Sequence, residues 1–148
     1  MPGKDEYFAK YIAQRLDDVV IAHIEARQLV APWGAAPVTV ASAAGAFNWG
    51  AYSNDIIADG AVAHDFMLHW AVLADADANG HYELEFYYGA TDIWCARCAF
   101  TRTAPFTSSV MVTLKSQTLP ANSRIRARMR HSVGVASALV KIYYHHHN

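Results

Sequence analysis

Residues 124–130 read Arg-Ile-Arg-Ala-Arg-Met-Arg. A helix, turning about 100° per residue, would scatter these guanidinium groups around its axis. At period two they sort completely: Arg124, Arg126, Arg128 and Arg130 leave one face of a strand while Ile125, Ala127 and Met129 enter a core. A chain that contains this segment must build a sheet with one buried face and one polar face. Four like charges in a row also repel, so something has to offset them. Carboxylates on a neighbouring strand would do so, and His81-Tyr82-Glu83-Leu84-Glu85 presents Glu83 and Glu85 on its own polar face. An acidic protein surface or a nucleic acid would serve as well, because arginine pairs in the same bidentate way with carboxylate and phosphate.

The same period recurs along most of the chain. Residues 19–26, 38–41, 92–101, 110–114 and 138–145 read as strands, separated by loops that carry Pro32, Gly34, Pro37, Gly89, Pro105, Pro120 and Gly134. Phe66, Leu68, Trp70 and Val72 share one face of a further strand, and Tyr82, Leu84, Phe86 and Tyr88 line the next. Between these two, Asp77-Ala78-Asn79-Gly80 predicts a hairpin turn, since Asn and Gly both tolerate positive φ. Residues 41–60, rich in Ala, Gly, Ser and Asn, read as an irregular connection anchored by Phe47, Trp49 and Tyr52, with a short strand near Ile56 and Ile57. About eight short strands at this spacing predict an all-β fold, a β-sandwich or jelly roll. Only the start departs from it. Phe8, Ile12 and Leu16 recur at helical spacing, so residues 1–17 form a short helix or an extended arm and residues 18–148 the β domain.

With 148 residues, 53% of them hydrophobic and 17% charged, the chain can fill one core and is not bulk-disordered. No apolar run approaches the ~18 residues of a spanning helix, and the start lacks the apolar stretch of a signal peptide, so no membrane role is expected. The net charge of −1 argues against a general nucleic-acid binder. It hides an uneven distribution. Residues 1–92 carry four basic and thirteen acidic side chains, and residues 93–148 carry eight basic and none acidic. Strands from the two halves that interleave in space would neutralise each other; an acidic partner is the other outlet.

Chemistry-bearing motifs are incomplete. Asp75-Ala-Asp77-Ala-Asn79-Gly80 opens like a calcium loop, but position twelve is Phe86 where a bidentate carboxylate belongs, and a polar turn explains the same residues. Cys95-Ala-Arg97-Cys98 is a CxxC without the second ligand pair of a zinc site or the βαβ setting of a redox motif. On a regular strand its two sulfurs would face opposite ways, Cys98 beside Trp94 and Phe100 and Cys95 beside Arg97, as small hydrophobes. The histidines His23, His64, His69, His81 and His131 are scattered, and His145-His146-His147 reads as a polar strand end. No nucleophile elbow or phosphate loop is present. Neither a catalytic residue, a metal ligand set nor a cofactor is expected.

A set of short segments, weak singly but ordered along the chain, adds a resemblance. These are Trp49-Gly50-Ala51, Phe66-Met-Leu-His69-Trp70, Ala78-Asn79-Gly80-His-Tyr82-Glu83-Leu84, Arg97-Cys-Ala-Phe100-Thr101-Arg102, Pro120-Ala121-Asn122-Ser123-Arg124-Ile125 and Ile142-Tyr143-Tyr144-His145. Together they resemble capsid decoration, or cement, proteins encoded beside the head genes of tailed phages. The resemblance implies a jelly roll that binds the major capsid protein on the exterior of an icosahedral shell, often as trimers, with no catalysis and no cofactor. It implies synthesis in the host cytoplasm and residence in the virion. Cys95, Cys98 and the basic run at Arg126, Arg128 and Arg130 depart from the family's pattern. The interface candidates are Arg124, Arg126, Arg128, Arg130, Trp49 and Tyr52, since charged rows and large rigid rings both suit protein contacts. The alternative is a glycan- or receptor-binding sandwich of a phage tail fibre or adhesin, with Trp33, Trp49 and Tyr52 stacking on sugar rings.

Overall fold

A computed structural model describes residues 29–103 and 109–146. The expected helix or arm at residues 1–17 and the strand at 19–26 lie outside the described residues. Among the described residues eight strands form two antiparallel sheets: β1 (Leu29–Ala31), β2 (Val38–Ala41), β3 (Phe66–Ala74), β4 (Gly80–Tyr88), β5 (Ile93–Arg102), β6 (Val110–Thr113), β7 (Ile125–His131) and β8 (Ser137–His146). In the five-stranded sheet β1 and β2 both pair with β8, which is followed by β3 and β6; the three-stranded sheet runs β5-β4-β7. The all-β, two-sheet expectation holds.

The core lies between the sheets and follows the alternation. Ile125, Ala127, Met129 and His131 point inward from β7, Tyr82, Leu84 and Phe86 from β4, and Ala138, Val140, Ile142 and Tyr144 from β8. Burying a side chain of this size stabilises by roughly 1.5–3 kcal/mol, which is why the alternation outweighs local propensity. Two bulges change the phase. In β3 the register slips between Leu68 and Trp70, so the buried set is Phe66, Leu68, Ala71 and Leu73, and not the Trp70 and Val72 that strict alternation predicts. In β5 the register slips opposite Phe86 and Tyr87, which turns Cys95 inward and leaves Trp94 outside. Cys95 and Cys98 are therefore both buried free thiols, where opposite faces had been expected.

The Asn79-Gly80 turn is not a hairpin. β3 and β4 belong to different sheets, and residues 75–79 carry the chain across the sandwich. Asp75 adopts φ 49°, and the Tyr82 hydroxyl accepts from the Ala78 N–H (2.9 Å) while donating to the Ala78 carbonyl (2.7 Å). Asp77 caps the start of β8, accepting from the Ser137 N–H and hydroxyl at 2.8 and 3.0 Å. Polar turn chemistry is satisfied equally by a crossover and by a hairpin, so this sequence cue could not tell them apart. Among described strands the one sequential pair in the three-stranded sheet is β4–β5, turned through Gly89 and Asp92 at φ 78° and 51°.

The connection at residues 42–57 closes the outer edge of β7. Amides of Phe47, Gly50, Ser53 and Ile56 donate to the carbonyls of His131, Met129, Ala127 and Ile125 at 2.7, 2.9, 2.7 and 2.8 Å. The connection advances three residues for every two of β7. Ile57 forms an isolated bridge with Ile125, which is what remains of the short strand expected there. Gly50 is where this connection passes β2: a Cβ would collide with the Ala41 carbonyl oxygen. Gly50→Ala is expected to cost about 2–4 kcal/mol, read as a lower urea midpoint with unchanged denaturant slope; a midpoint within error of wild type would show that the two edges are not in such close contact.

Candidate functional site

The outer face of the three-stranded sheet gathers all six interface candidates. Period two sends Arg126, Arg128 and Arg130 outward from β7, with Arg124 just before it. The register of β4 against β7 sets Glu83 beside Arg130 and Glu85 beside Arg128, and β5 places Arg97 on the other side of the same carboxylates. Arg130 pairs with Glu83, and Arg128 with Glu85 at 3.3 Å. Arg97 reaches Glu83 at 3.6 Å and Glu85 at 3.4 Å. Asp92, in the β4–β5 turn, pairs with Arg126 and lies 3.5 Å from Arg124. Arg124 also donates to the carbonyls of Gly89 and Ala90, both at 3.1 Å, and so clamps that turn. The repulsion inherent in the arginine row is offset within the fold.

Aromatic rings cover the row on its other side. The Arg128 guanidinium sits 4.8 Å from the Trp49 ring, 5.0 Å from Tyr87 and 5.6 Å from Tyr52. Arg130 lies 4.7 Å from Trp49 and 5.6 Å from Phe47, and Arg126 lies 4.8 Å from Tyr52. Tyr52 meets Tyr87 edge to face at 5.0 Å. A guanidinium over a ring face is attracted by the ring quadrupole, worth about 0.5–1 kcal/mol at such exposed sites. Tyr87, Arg97 and Phe47 belong to this arrangement, although the sequence alone did not single them out for it. The ring faces of Trp49 and Tyr52 are engaged by arginines, which leaves them poorly placed to stack on a sugar.

Titration follows the pairing. Burial pushes Glu83 upward, but the Arg130 hydrogen bond and the charges of Arg130 and Arg97 outweigh it and hold the carboxyl below its usual value. The Arg126 hydrogen bond dominates at Asp92 and lowers it against a smaller burial effect. Burial, then the neighbouring Glu85 to which it donates, pushes the Tyr87 hydroxyl up to about 12.

The other motifs fall elsewhere. Burial drives both Cys95 and Cys98 up to about 12, far from thiolate chemistry near neutral pH. Cys95 Sγ donates instead to the Phe86 carbonyl at 3.3 Å. Of the calcium-like loop, Asp77 is committed to Ser137. His81-Tyr82-Glu83 has the H-x-E spacing of a facial triad, as does His23-Ile24-Glu25 outside the described residues, so the expectation that the histidines are merely scattered does not hold for the sequence. His81 lies 3.4 Å from Glu83 and 3.1 Å from the Thr101 hydroxyl. His69 and His145 pack with ring centroids 4.0 Å apart, and His64 and His146 with centroids 5.1 Å apart. Among the described residues no three His, Cys, Asp or Glu side chains converge on a point that could hold a metal ion.

Glu83 and Asp92 ionise more readily in the folded chain than in the unfolded one. Their contribution to stability is complete above the ordinary carboxylate range near 4 and drains away as the pH falls through the lowered folded values. The urea midpoint is therefore expected to drop between about pH 4 and pH 2, and the pair Glu83→Gln with Asp92→Asn to lower the neutral-pH midpoint while flattening that acid limb. An acid limb of unchanged steepness in the double variant would remove these two carboxylates from the account.

Comparison with known protein families, with curated proteins and with solved structures returns no match for this chain.

Proposed function

We propose that the chain is a structural protein of the tailed-phage virion, docking as a trimer on the major capsid protein and stiffening the exterior of the shell after synthesis in the host cytoplasm. In this role it needs neither a catalytic residue nor a cofactor, membrane or nucleic acid. The observation that carries the reading is where apolar surface is left over. Apart from the buried Arg128 Nε, which has no hydrogen-bond partner, the arginine face is paired internally, while Ile93, Trp94, Met111, Val133 and Val135 stand exposed on strand edges and at a turn of the sandwich. Exposed large apolar side chains on a self-satisfied body suit protein contacts.

The finer fold we propose is a jelly roll. Its support is the interleaved chain order, β1/β2-β8-β3-β6 over a sheet in which residues 47–57 take the edge position beside β7, β4 and β5. Read this way, both layers are four positions wide, β1 and β2 sharing the one beside β8, as two nested Greek keys require. The resemblance to decoration proteins points the same way.

The test is co-sedimentation of the purified protein with expanded shells assembled from the major capsid protein of the genome that encodes it. Saturable binding with weak dependence on salt is expected, because the five arginines of the face exceed its three carboxylates by only two charges. Folded protein that stays in the supernatant overturns the reading.

One observation favours the glycan-binding alternative. Trp33 is 79% exposed beside a groove of about 410 Å³ that includes Pro32, Asp55, Ile56 and Tyr144, so a ring face and a carboxylate are available to a sugar. A response on a broad glycan array that Trp33→Ala abolishes would establish it, and a flat response would dismiss it.

A further inference from the structure

The groove beside Trp33 lies where the chain enters the described fold. We infer that residues 1–17 dock along this groove of their own chain, with Phe8, Ile12 and Leu16 against its apolar walls. The inference does not depend on the decoration role.

Three parts of the fold build the groove. Its lining includes Ala31 and Trp33 at and just beyond the end of β1, Ile56, Ile57 and Val62 from the segment before β3, and Tyr144 from β8. Ile56, Ile57 and Val62 are core residues, so the groove reaches the interior of the sandwich, while Trp33 stands exposed at its margin. An apolar trough of about 410 Å³ with an indole beside it is surface that a protein leaves bare only where something covers it.

Position selects the occupant. Leu29 registers with Tyr144, so β1 brings the preceding residues out directly beside the groove. Residues 18–28 extend to at most ~36 Å, ample to return residues 1–17 to it. A short tether holds such a segment at an effective concentration on the order of millimolar, which a free apolar partner would have to exceed to displace it. The segment also needs cover, because an isolated amphipathic helix of this length is marginal in water until its stripe is buried.

Charge agrees with position. At 100° per residue Lys4, Tyr11 and Arg15 fall on the same side as Phe8, Ile12 and Leu16, with Asp5 at the border and Glu6 and Asp17 opposite. No Lys or Arg occurs from Gln28 to Ala96, the span that supplies every lining residue of the groove except Tyr144. Asp55 lines the groove, and Asp59 stands exposed between its lining residues Ala58 and Ala61. Asp55 attracts Arg126, but that arginine is paired with Asp92. Lys4 and Arg15 therefore meet two carboxylates at the groove, whereas an acidic partner would be repelled there, as would the groove of a second copy. Occupied in this way the groove is closed to a sugar, which sets the inference against the glycan reading and leaves the capsid reading untouched.

Hydrogen exchange of the full-length chain, read by mass spectrometry, tests the inference. In wild type, peptides covering residues 7–16 and 55–62 are expected to exchange at least about tenfold more slowly than in the combination Phe8→Asp with Ile12→Asp, at unchanged near-ultraviolet circular dichroism. Ala61→Arg, at an exposed lining position, is expected to release residues 7–16 to the same degree, and it decides the matter if the double variant fails to fold. Equal exchange in wild type and a folded variant overturns the docking. Ile12→Cys with Ala58→Cys, treated with a short bismaleimide, is expected to crosslink within one chain, since Cys95 and Cys98 are buried. A crosslinked dimer, or no crosslink, overturns docking in the chain's own groove.

Discussion

The outer edge of β7 is the feature on which the rest of the polar face depends. A strand that carries three arginines, with a fourth just before it, and left an open row of carbonyls would be both electrostatically and sterically exposed. Residues 47–56 take those carbonyls one after another, at three residues of connection to two of strand. Each bond contributes only about 1 kcal/mol net, but their spacing decides where the side chains fall. Trp49 and Tyr52 each precede a donating amide, three residues apart, so both rings come down on the arginine row. An ordinary strand with period two would have sent one of them to each face. Gly50 lets this happen because it passes the Ala41 carbonyl with no side chain in the way.

The carboxylates are the critical members of the ladder. Glu83 serves Arg130, Arg97 and His81; Glu85 serves Arg128, Arg97 and the Tyr87 hydroxyl; Asp92 serves Arg124 and Arg126. An isolated ion pair at a partly exposed site contributes at most about 1 kcal/mol. Loss of one of these shared carboxylates does more than remove a pair, because it leaves two guanidinium groups facing each other with the screening anion gone. Loss of one arginine leaves a carboxylate that still has a cation. The asymmetry means that the minority charge controls the face, and the lowered Glu83 and Asp92 are the titratable expression of it.

How much of this could be read from the residues depended on whether local pattern and tertiary setting agreed. The arginine strand was legible because alternation over seven residues admits one solution, and Glu83 and Glu85 were legible as its partners because they sit at the same period on a strand of opposite charge. The bulges at Leu68–Trp70 and at Cys95 were not, since an extra residue leaves no compositional mark. Asn79-Gly80 misled because it encodes a change of direction without encoding which sheet receives the chain. Residues 42–57 matched neither helical nor strand period, so their pairing with β7 was invisible even though their aromatic residues were noticed. The exposed Val133 and Val135 were hidden by the opposite problem: in sequence they continue an apolar alternation, and only the turn at Gly134 leaves them outside.

The internal closure of the ladder changes what the arginine run signifies. Read alone, it invites an acidic partner. In the fold its guanidinium groups are held by carboxylates on one side and by aromatic rings on the other, and a partner would have to displace both. A surplus of two positive charges can orient an approaching acidic surface over a Debye length of about 8–10 Å, but it offers few unmet hydrogen bonds for tight recognition. In the proposed docking role, short-range affinity would then come from the apolar side chains that the sandwich leaves uncovered at its ends and edges. Such contacts are insensitive to ionic strength and gain from a framework that does not reorganise. A charge ladder that stiffens one sheet while apolar groups elsewhere stay exposed is a division of labour that would suit the proposed structural role, since the surface that resists deformation would not be the surface that must desolvate to bind.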